Sequence, residues 1–293
     1  MPKSRLVMVS GATGNQGGAV SRQLLQHGHR VRVLTRRPDS AEALEFKRLG
    51  AEIFQGDFED RDSLERAMRG VNTVFAVGTP AERGVEWEVR HGQNMADAAK
   101  AEGVLHYVYS SVVCANRDTG IPHFDSKAKV ENHIRNIGIP FTIISPVYFM
   151  ENLFSPSVWS DLLQGRLSMP LPGGTVLQQI CLEDIANFVL LVIENRDQFV
   201  SRRFDIAGDE LNGFRAAEIL SEIAGRNFAY NEIPLDVVRD GNPAMATMFD
   251  WLNHVGTDVN IELLRRQFPE VGWHSFESWA RGRDWSILVQ QAA

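Results

Sequence analysis

Four polar residues in the middle of the chain have the types and spacing needed for proton exchange. Ser110 and Ser111 end an apolar run, and His123 and Lys127 stand four residues apart in the segment HFDSK. An imidazole titrates near neutral pH, and a lysine can orient a neighbouring group by hydrogen bonding and lower the pKa of a proton donor. The alternative interpretation is an exposed helix lysine beside a solvent-facing or capping histidine. These residues therefore offer acid–base chemistry if the fold brings them to one site.

The elements around these residues alternate between strand and helix. The predicted strands are 6–9, 29–35, 53–54, 71–77 and 105–111. Helices are predicted at 41–49, 61–69 and 84–102, and another opens at His123. This alternation predicts a mostly parallel sheet with helices on both faces. Ser110 and Ser111 would then lie at the carboxyl edge of the sheet, where open α/β sheets bind ligands.

A glycine-rich turn, GATGNQGG, separates the first strand from the first helix. Gly11 permits a tight turn, Gly14 lets a phosphate approach bare backbone, and Gly17 or Gly18 lets helix and strand pack closely. Glycines at this GxxGxxG spacing also suit a merely structural turn, but the strand–turn–helix context favours a Rossmann-type dinucleotide site. The residues that we assign to it are Gly11, Ala12, Thr13, Gly14, Asn15, Gln16 and Gly17.

The ends of the next strands predict where the rest of the dinucleotide binds. Arg36 and Arg37 follow the second strand, where arginine favours a 2′-phosphate and a carboxylate favours NAD, so NADP(H) is preferred over NAD(H). A solvated basic turn is the alternative. Asp57 could accept from an adenine amino group while Phe58 covers the ring, or Asp57 could cap the following helix. The small tip of the fourth strand leaves room for ribose and phosphate at Val77, Gly78 and Thr79.

Composition excludes several classes of protein. The 293-residue chain is 44% apolar, which suffices for one large core or a core with an appended lobe. Its net charge of -7 provides no broad basic field, and no helix-turn-helix is evident. A strand within ten residues of Met1 leaves no room for a signal peptide, and no apolar run could span a bilayer. We expect a cytoplasmic monomer or homodimer without direct nucleic-acid or membrane partners.

Cysteine and histidine spacing predicts no metal site. Cys114 and Cys181 form no CxxC motif, and we interpret them as reduced core residues. The histidines that lack convincing ligand spacing are His106, His133, His254 and His274.

The regular alternation breaks after Leu153, which predicts a second, smaller α+β lobe. We expect residues 1–150 to bind the nucleotide, with 175–194 packing back onto them, and residues 151–293 mainly to bind a substrate or partner. Ligand sites favour apolar walls, although ordinary lobe core is the alternative interpretation. The candidate substrate-binding residues are Phe149, Asn152, Phe154 and Trp159.

Taken in order, GATGNQGG, TRRP, the Gly56-Asp57 pair, the serine pair and HFDSKAKVENHI resemble the NmrA-like family of atypical short-chain dehydrogenase/reductases. The segment PVYFMEN at 146–152 is similar to that family as well, and Pro146 and Tyr148 join the cofactor site on this ground. The resemblance implies a Rossmann domain with a smaller C-terminal lobe. The residues that it implies for NADP(H) binding are Gly11, Gly14, Gln16, Gly17, Arg36, Asp57 and Lys127.

The resemblance leaves two functions open, because the family includes redox-sensing regulators that bind protein partners and has reductases among its relatives. Short-chain dehydrogenases carry a proton-donating tyrosine in a YxxxK motif, and here His123 takes its place. Isoflavone-type reductases also lack that tyrosine and use the lysine as acid or base. We predict an oxidoreductase acting on a small apolar or aromatic substrate, with a non-catalytic NADP(H) sensor as the alternative. The candidate catalytic residues are Lys127, Ser110, Ser111, His123 and Tyr148, the last of which could instead be an aromatic lid over the nicotinamide.

Overall fold

A parallel sheet forms where the apolar strand-like segments were predicted. The computed structural model describes residues 4–78 and 84–290. Within them the strands are β1 Leu6–Val9, β2 Arg30–Thr35, β3 Glu52–Gln55, β4 Thr73–Val77, β5 His106–Ser110, β6 Phe141–Pro146, β7 Tyr148–Phe149, β8 Arg166–Met169, β9 Val176–Ile180, β10 Arg202–Ile206, β11 Asp209–Asn212 and β12 Ala229–Glu232. The helices are α1 Asn15–Gln26, α2 Ala41–Arg48, α3 Arg61–Met68, α4 Val85–Ala101, α5 Pro122–Ile137, α6 Pro156–Leu163, α7 Leu182–Glu194, α8 Arg196–Phe199, α9 Gly213–Ala224, α10 Leu235–Gly241, α11 Pro243–His254, α12 Ile261–Gln267, α13 Phe276–Arg281 and α14 Ser286–Gln290.

The central sheet has the strand order β10-β6-β5-β4-β1-β2-β3. The pairs from β3 to β6 are parallel. In register, Val9 lies opposite Val33 and Phe75, and Val77 lies opposite Ser110. The carboxyl ends of these strands therefore meet along one edge, because parallel strands all run in the same direction. The predicted α/β class, a doubly wound and mostly parallel sheet, is confirmed.

The chain divides into two compact units. The first comprises Met1–Pro146 with Ile185–Asp205, and the second comprises Val147–Asp184 with Ile206–Ala293. The first unit contains the central sheet, and one of its cores is built from fully buried side chains of β1, β4, β5 and helices α3 to α5. The second unit contains the sheet β11-β9-β7, the parallel pair β12-β8 and several short helices. One of its cores is rich in aromatic residues, including Trp279 and Trp285.

Helices α4 and α5 approach each other closely at Gly92. A Cβ atom placed on Gly92 would lie 2.6 Å from a methyl carbon of Val130 in α5. The side chain of Val130 is stiff and fully buried, so it has little room to yield. The hydrogen atom of Gly92 therefore permits the short distance between these two helices.

Candidate nucleotide-binding and active site

The glycine turn between β1 and α1 leaves bare backbone at its glycines. Gly11 has a φ of 62°, a left-handed conformation that favours glycine, and its carbonyl accepts from Gly14 N at 2.9 Å. A Cβ on Gly17 would lie 2.7 Å from Ser10 O and closer still to Gly11 O. Helix α1 begins with Gly14 as N-cap, and within the described residues no side chain caps it. Its first N–H groups and the positive end of its dipole are therefore available to an anion.

A cavity of about 370 Å³ opens beside this turn, at the carboxyl edge of the sheet, and we call it the nucleotide cavity. Twelve of the predicted cofactor residues line it: Gly11, Thr13, Gly14, Asn15, Gln16, Gly17, Arg36, Arg37, Asp57, Phe58, Val77 and Gly78. Ala12 is buried and is not part of the lining, and Thr79 lies outside the described residues. A backbone anion site, a basic pair, a carboxylate and an aromatic ring are the groups needed to hold phosphates, a 2′-phosphate and an adenine. The residues present therefore fit a dinucleotide.

Asp57 does not cap helix α3. The N-cap of α3 is Asp60, whose side chain accepts from Ser63 N at 3.1 Å. Asp57 Oδ1 instead accepts from Glu59 N at 3.0 Å. The capping alternative is wrong, because the helix begins three residues later than that interpretation requires. Asp57 and Phe58 both line the nucleotide cavity.

Helix α4 contributes three cavity residues that the sequence interpretation missed. Trp87, Glu88 and His91 line the nucleotide cavity from one side of the helix. Their spacing of one and four residues is visible in the sequence, but such spacing on a helix does not by itself distinguish a ligand site from an ordinary helix face. The His91 ring lies 5.4 Å from Phe58 and 5.6 Å from Trp87, measured between ring centroids. Burial lowers the pKa of His91 although Glu59 and Asp57 act to raise it, so the ring is neutral at pH 7.

Lys127 is buried, and the interpretation of an exposed helix lysine is wrong. Only 8% of the residue is accessible. Its Nζ donates to Gly78 O at 2.7 Å and lies 2.9 Å from Glu88 Oε1. Ser126 donates to the other carboxylate oxygen of Glu88. Gly78 lines the nucleotide cavity, whereas Lys127 does not line it and is hydrogen-bonded to the Gly78 carbonyl. We call Gly78, Glu88, Ser126 and Lys127 the lysine cluster.

Ser110 and Ser111 have different partners. Ser110 Oγ accepts from Gln16 Nε2 at 2.8 Å, which joins the glycine turn to β5. Ser111 Oγ donates to the fully buried Glu131 at 2.5 Å, and Glu131 is also paired with Arg135 and Arg203. Ser110 therefore lies beside the nucleotide cavity, whereas the hydroxyl hydrogen of Ser111 is committed to a buried charge network.

His123 lies in the first turn of α5, near the lysine cluster. The residue is half-buried, and its ring meets that of Phe124 edge-on at 4.8 Å. Burial lowers the pKa of His123, partly offset by Glu88 and reinforced by Lys127. A lowered pKa makes the ring neutral at pH 7, so it lacks the extra proton of an imidazolium. Its catalytic role stays a prediction.

The remaining candidate residues follow β6. Pro146 is buried at the end of β6, where its carbonyl accepts from Val113 N at 3.1 Å. Tyr148 packs near Phe249 in the second unit, and burial raises its pKa to about 12. The predicted substrate residues also belong to the second unit: Phe149 and Asn152 are half-buried, while Phe154 and Trp159 are part of an aromatic cluster in which Phe154 stacks on Trp285 at 5.5 Å.

A polar cluster in the second unit also went unnoticed in the sequence. Donor atoms of Cys181, Asp184 and His274 lie within 4.8 Å of one another, a set that could hold a metal ion. His274 Nδ1 is 2.6 Å from Asp184 Oδ1 and 3.7 Å from Cys181 Sγ. Burial raises the pKa of both Cys181 and Asp184. The sequence does not indicate this cluster, because its residues are three and 90 positions apart. The expected absence of a metal site stays a prediction.

No helix within residues 4–78 and 84–290 combines the length and the apolar character needed to cross a membrane.

Comparisons with known proteins agree with this geometry. The model of the NmrA-like family matches residues 3–280. A relative from Streptomyces griseus, named (4-alkanoyl-5-oxo-2,5-dihydrofuran-3-yl)methyl phosphate reductase, is 30% identical over 239 residues, which is 80% of this chain and 79% of the relative. The solved structure of NADPH-dependent quinone oxidoreductase QOR2 from Escherichia coli, complexed with NADPH, has a TM-score of 0.78 at 19% identity and covers 94% of this chain and 99% of that one.

A second structural neighbour is a regulator. NmrA, a negative transcriptional regulator in complex with NADP, has a TM-score of 0.76 at 21% identity, covering 95% of this chain and 94% of that one. These two structures were solved with nicotinamide dinucleotides, and the glycine turn fits the same class of cofactor. The predicted resemblance is confirmed, and the chain belongs to the NmrA-like family of NAD(P)-binding proteins.

Proposed function

We propose that the protein is an NADPH-dependent reductase that transfers hydride to a small apolar or aromatic substrate, with Lys127 controlling the proton. The observation that carries this proposal is the burial of the Lys127 ammonium beside Glu88 and Gly78 at the edge of the nucleotide cavity. Taking two charges out of water costs several kcal/mol per ion, and good pairing only partly offsets this cost. An ion pair placed beside a cofactor cavity at such a cost suits proton transfer.

The residues of the first unit divide the work of binding. Backbone N–H groups of the glycine turn and α1 would hold the pyrophosphate. Arg36, with Arg37, would hold the 2′-phosphate, and Asp57 and Phe58 would hold the adenine. The bound nicotinamide would supply the hydride. Lys127 would donate a proton to the group being reduced, while Ser110 and Gln16 keep the wall of the cavity in place.

The substrate side of the proposal rests on the second unit. Phe149, Asn152, Phe154 and Trp159 offer apolar and aromatic surface with a polar amide, the composition of a pocket for an apolar ligand. Two proteins similar to this chain are named (4-alkanoyl-5-oxo-2,5-dihydrofuran-3-yl)methyl phosphate reductase and quinone oxidoreductase, and both names describe a substrate whose carbonyl group is conjugated with a carbon–carbon double bond. This supports a conjugated carbonyl or quinone as the first substrate class to test.

The experiment measures NADPH oxidation over a panel of quinones and conjugated carbonyls. Lys127→Ala should abolish turnover and retain nucleotide binding by calorimetry, whereas Lys129→Ala, an exposed lysine on the same helix, should retain both. Should Lys127→Ala fail to fold, Lys127→Met combined with Glu88→Gln removes both charges and tests the same step. A wild-type protein that binds NADPH but oxidises it with no substrate in the panel would contradict the proposal.

A non-catalytic NADP(H) sensor is the second candidate, and the histidine at the position of the missing tyrosine favours it. A regulator of similar fold binds NADP. In this case a protein partner should co-purify with the chain and be released by NADPH, and Lys127→Ala should leave that release unchanged.

A further inference from the structure

The second unit contains three metal-ligating side chains that the proposed function does not use. Cys181 comes directly before helix α7, Asp184 lies in the first turn of α7, and His274 lies shortly before α13. One donor atom from each residue lies within 4.8 Å of the other two. We call these three residues the second-unit cluster.

The second-unit cluster differs from an ordinary surface group of acidic residues in its burial and its mixed donors. Cys181 and Asp184 are 0% exposed, and the side chain of His274 is 28% exposed. Thiolate, carboxylate and imidazole are the three donor types found in zinc sites. A thiolate favours Zn²⁺ over Mg²⁺ and Ca²⁺, which prefer oxygen donors. The donor set therefore selects zinc among the common divalent cations.

The donor atoms are close to the separations of a zinc site. Zn–S and Zn–N bonds of about 2.3 and 2.0–2.1 Å at a tetrahedral angle place S and N about 3.6 Å apart. Cys181 Sγ is 3.7 Å from His274 Nδ1. His274 Nδ1 and Asp184 Oδ1 are 2.6 Å apart, a hydrogen-bond distance, and zinc would replace the proton between them once they part by about 0.7 Å. The exposed side of His274 gives its ring space for that shift.

The carboxylate of Asp184 is already held in place by its neighbours. Its Oδ2 accepts from His274 N at 2.9 Å, and Cys181 also hydrogen-bonds to this carboxylate. The backbone packs closely here as well, because a Cβ on Gly208 would lie 3.0 Å from Asp184 Oδ2. Carboxylates that bind metals are supported by hydrogen bonds of this kind. The second-unit cluster therefore has a supporting shell as well as three donors.

Charge balance favours a divalent cation. Zn²⁺ with one thiolate and one carboxylate forms a neutral group, which reduces the cost of burying the three charges. Starting from an ionised Asp184, binding releases one proton, that of the Cys181 thiol. The His274 ring stays neutral, because its proton moves from Nδ1 to Nε2.

We propose that the second-unit cluster binds one Zn²⁺ ion through Cys181 Sγ, Asp184 Oδ1 and His274 Nδ1, with a water as the fourth ligand on the exposed side of His274. The ion fastens the start of α7 to the segment before α13. This site departs from the expectation of no metal site, which rested on cysteine and histidine spacing alone.

The first test measures zinc binding by the full chain and needs no turnover. After the cysteines are reduced and metal is removed with a chelator, calorimetric titration with Zn²⁺ should give one ion per chain. Cys181→Ser should lower the zinc affinity at least about a hundredfold, because loss of a supporting hydrogen bond alone costs about 10–100-fold. Cys114→Ser, at the other buried cysteine, is the control and should bind zinc as the wild type does. Equal affinity in Cys181→Ser and the wild type overturns the proposal.

Replacement of zinc by Co²⁺ identifies the ligands. A thiolate bound to Co²⁺ gives a charge-transfer band in the near ultraviolet, which Cys181→Ser should lack. His274→Gln should bind Co²⁺ at least about a hundredfold more weakly, whereas His254→Ala, at an exposed histidine of the same unit, should keep the band and the affinity. Metal binding by the wild type without the thiolate band would place the ion elsewhere and overturn the proposal.

Urea unfolding separates a metal site from a purely structural hydrogen-bond cluster. Zn²⁺ should raise the unfolding midpoint of the wild type and not that of Cys181→Ser, since an ion that binds only the folded state stabilises it. Should Cys181→Ser fail to fold, Cys181→Ala removes the same ligand without burying a hydroxyl. A wild-type protein that binds NADPH but no Zn²⁺ overturns this inference and leaves the proposed function standing. Zinc binding without NADPH oxidation does the reverse.

Discussion

The glycine turn and the lysine cluster lie at the same edge of one sheet, yet they are built in opposite ways. The glycine turn is formed by consecutive residues, and it works because atoms are missing from Gly11, Gly14 and Gly17. The lysine cluster draws on β4, α4 and α5, and it works because opposite charges are present and paired. An added atom should therefore disrupt the glycine turn, whereas a removed charge should disrupt the lysine cluster.

Adding one methyl group to the glycine turn should have the largest effect. A Cβ at Gly17→Ala must displace the backbone of Ser10 and Gly11, so we expect nucleotide affinity to fall more than about a hundredfold, with about 1–3 kcal/mol of lost stability from overpacking. Calorimetric titration with NADPH and urea unfolding measure the two effects. Gly174→Ala, where a Cβ meets nothing within 4 Å, is the control. Unchanged affinity in Gly17→Ala would refute the backbone cradle.

Removing one charge from the lysine cluster should have the next largest effect. Lys127→Met leaves the buried Glu88 carboxylate without its counter-charge, and we expect the free energy of unfolding at pH 7 to fall by about 3 kcal/mol. The double variant with Glu88→Gln should recover part of that loss, because no unpaired charge remains. Urea unfolding of both single variants and the double variant measures the coupling. Additive losses would mean that the two side chains do not interact.

A side chain in the nucleotide cavity should sharpen the comparison by affecting one cofactor only. Arg36→Ala should weaken NADPH about tenfold to a hundredfold, the effect of one charge-assisted hydrogen bond, and leave NADH almost unchanged. Arg48→Ala, an exposed arginine of the first unit, is the control. Equal loss for both nucleotides would refute a 2′-phosphate at this position.

A buried histidine outside both regions should show the smallest effect at neutral pH. His106 is 0% exposed and bonds to Thr142 Oγ1 at 2.8 Å, and burial, with Arg196 and Arg5, lowers its pKa to about 3. Between pH 6.5 and that value the unfolded chain binds a proton that the folded chain does not. As the pH decreases below 6.5, the free energy of unfolding should therefore decrease by up to about 1.4 kcal/mol per pH unit because of this group.

The measurement compares urea unfolding between pH 7 and pH 4 in the wild-type protein and His106→Gln. Glutamine does not titrate, so the slope in the variant should be shallower by this contribution. His27→Gln, at an exposed histidine of the same unit, is the control variant. Parallel curves for His106→Gln and the wild type would contradict the lowered pKa.

The sheet and the glycine turn could be predicted from the sequence because both are encoded by residues close together in the chain. Strand periodicity, the helix after Gly14 and the arginines after β2 are local patterns; the structure has these strands and this helix, and Arg36 and Arg37 line the cavity. The pairing of Lys127 with Glu88 was not predictable in this way. It depends on how α4 packs against α5, and a helix pattern alone does not say which polar residue of a face will meet another helix.

Asp57 and Asp60 are both suitable N-caps, and the start of the helix at Arg61, which the sequence predicts and the structure has, already favours Asp60. The second-unit cluster has no such local signal. Cys181, Asp184 and His274 come together through the folding of a loop against α7. Such contacts between distant positions carry no periodic signal.

Gly92 has no reactive group, yet it sets the distance between the two helices that position Glu88 and Lys127. Neither this glycine nor Val130 carries a group that could react, yet the missing methyl sets the separation of two helices that bear an acid and a base. Enlarging position 92 would wedge the helices apart and uncouple Glu88 from Lys127 without altering either residue. The pairing of two charged side chains can therefore be tuned by a contact between two hydrocarbon surfaces.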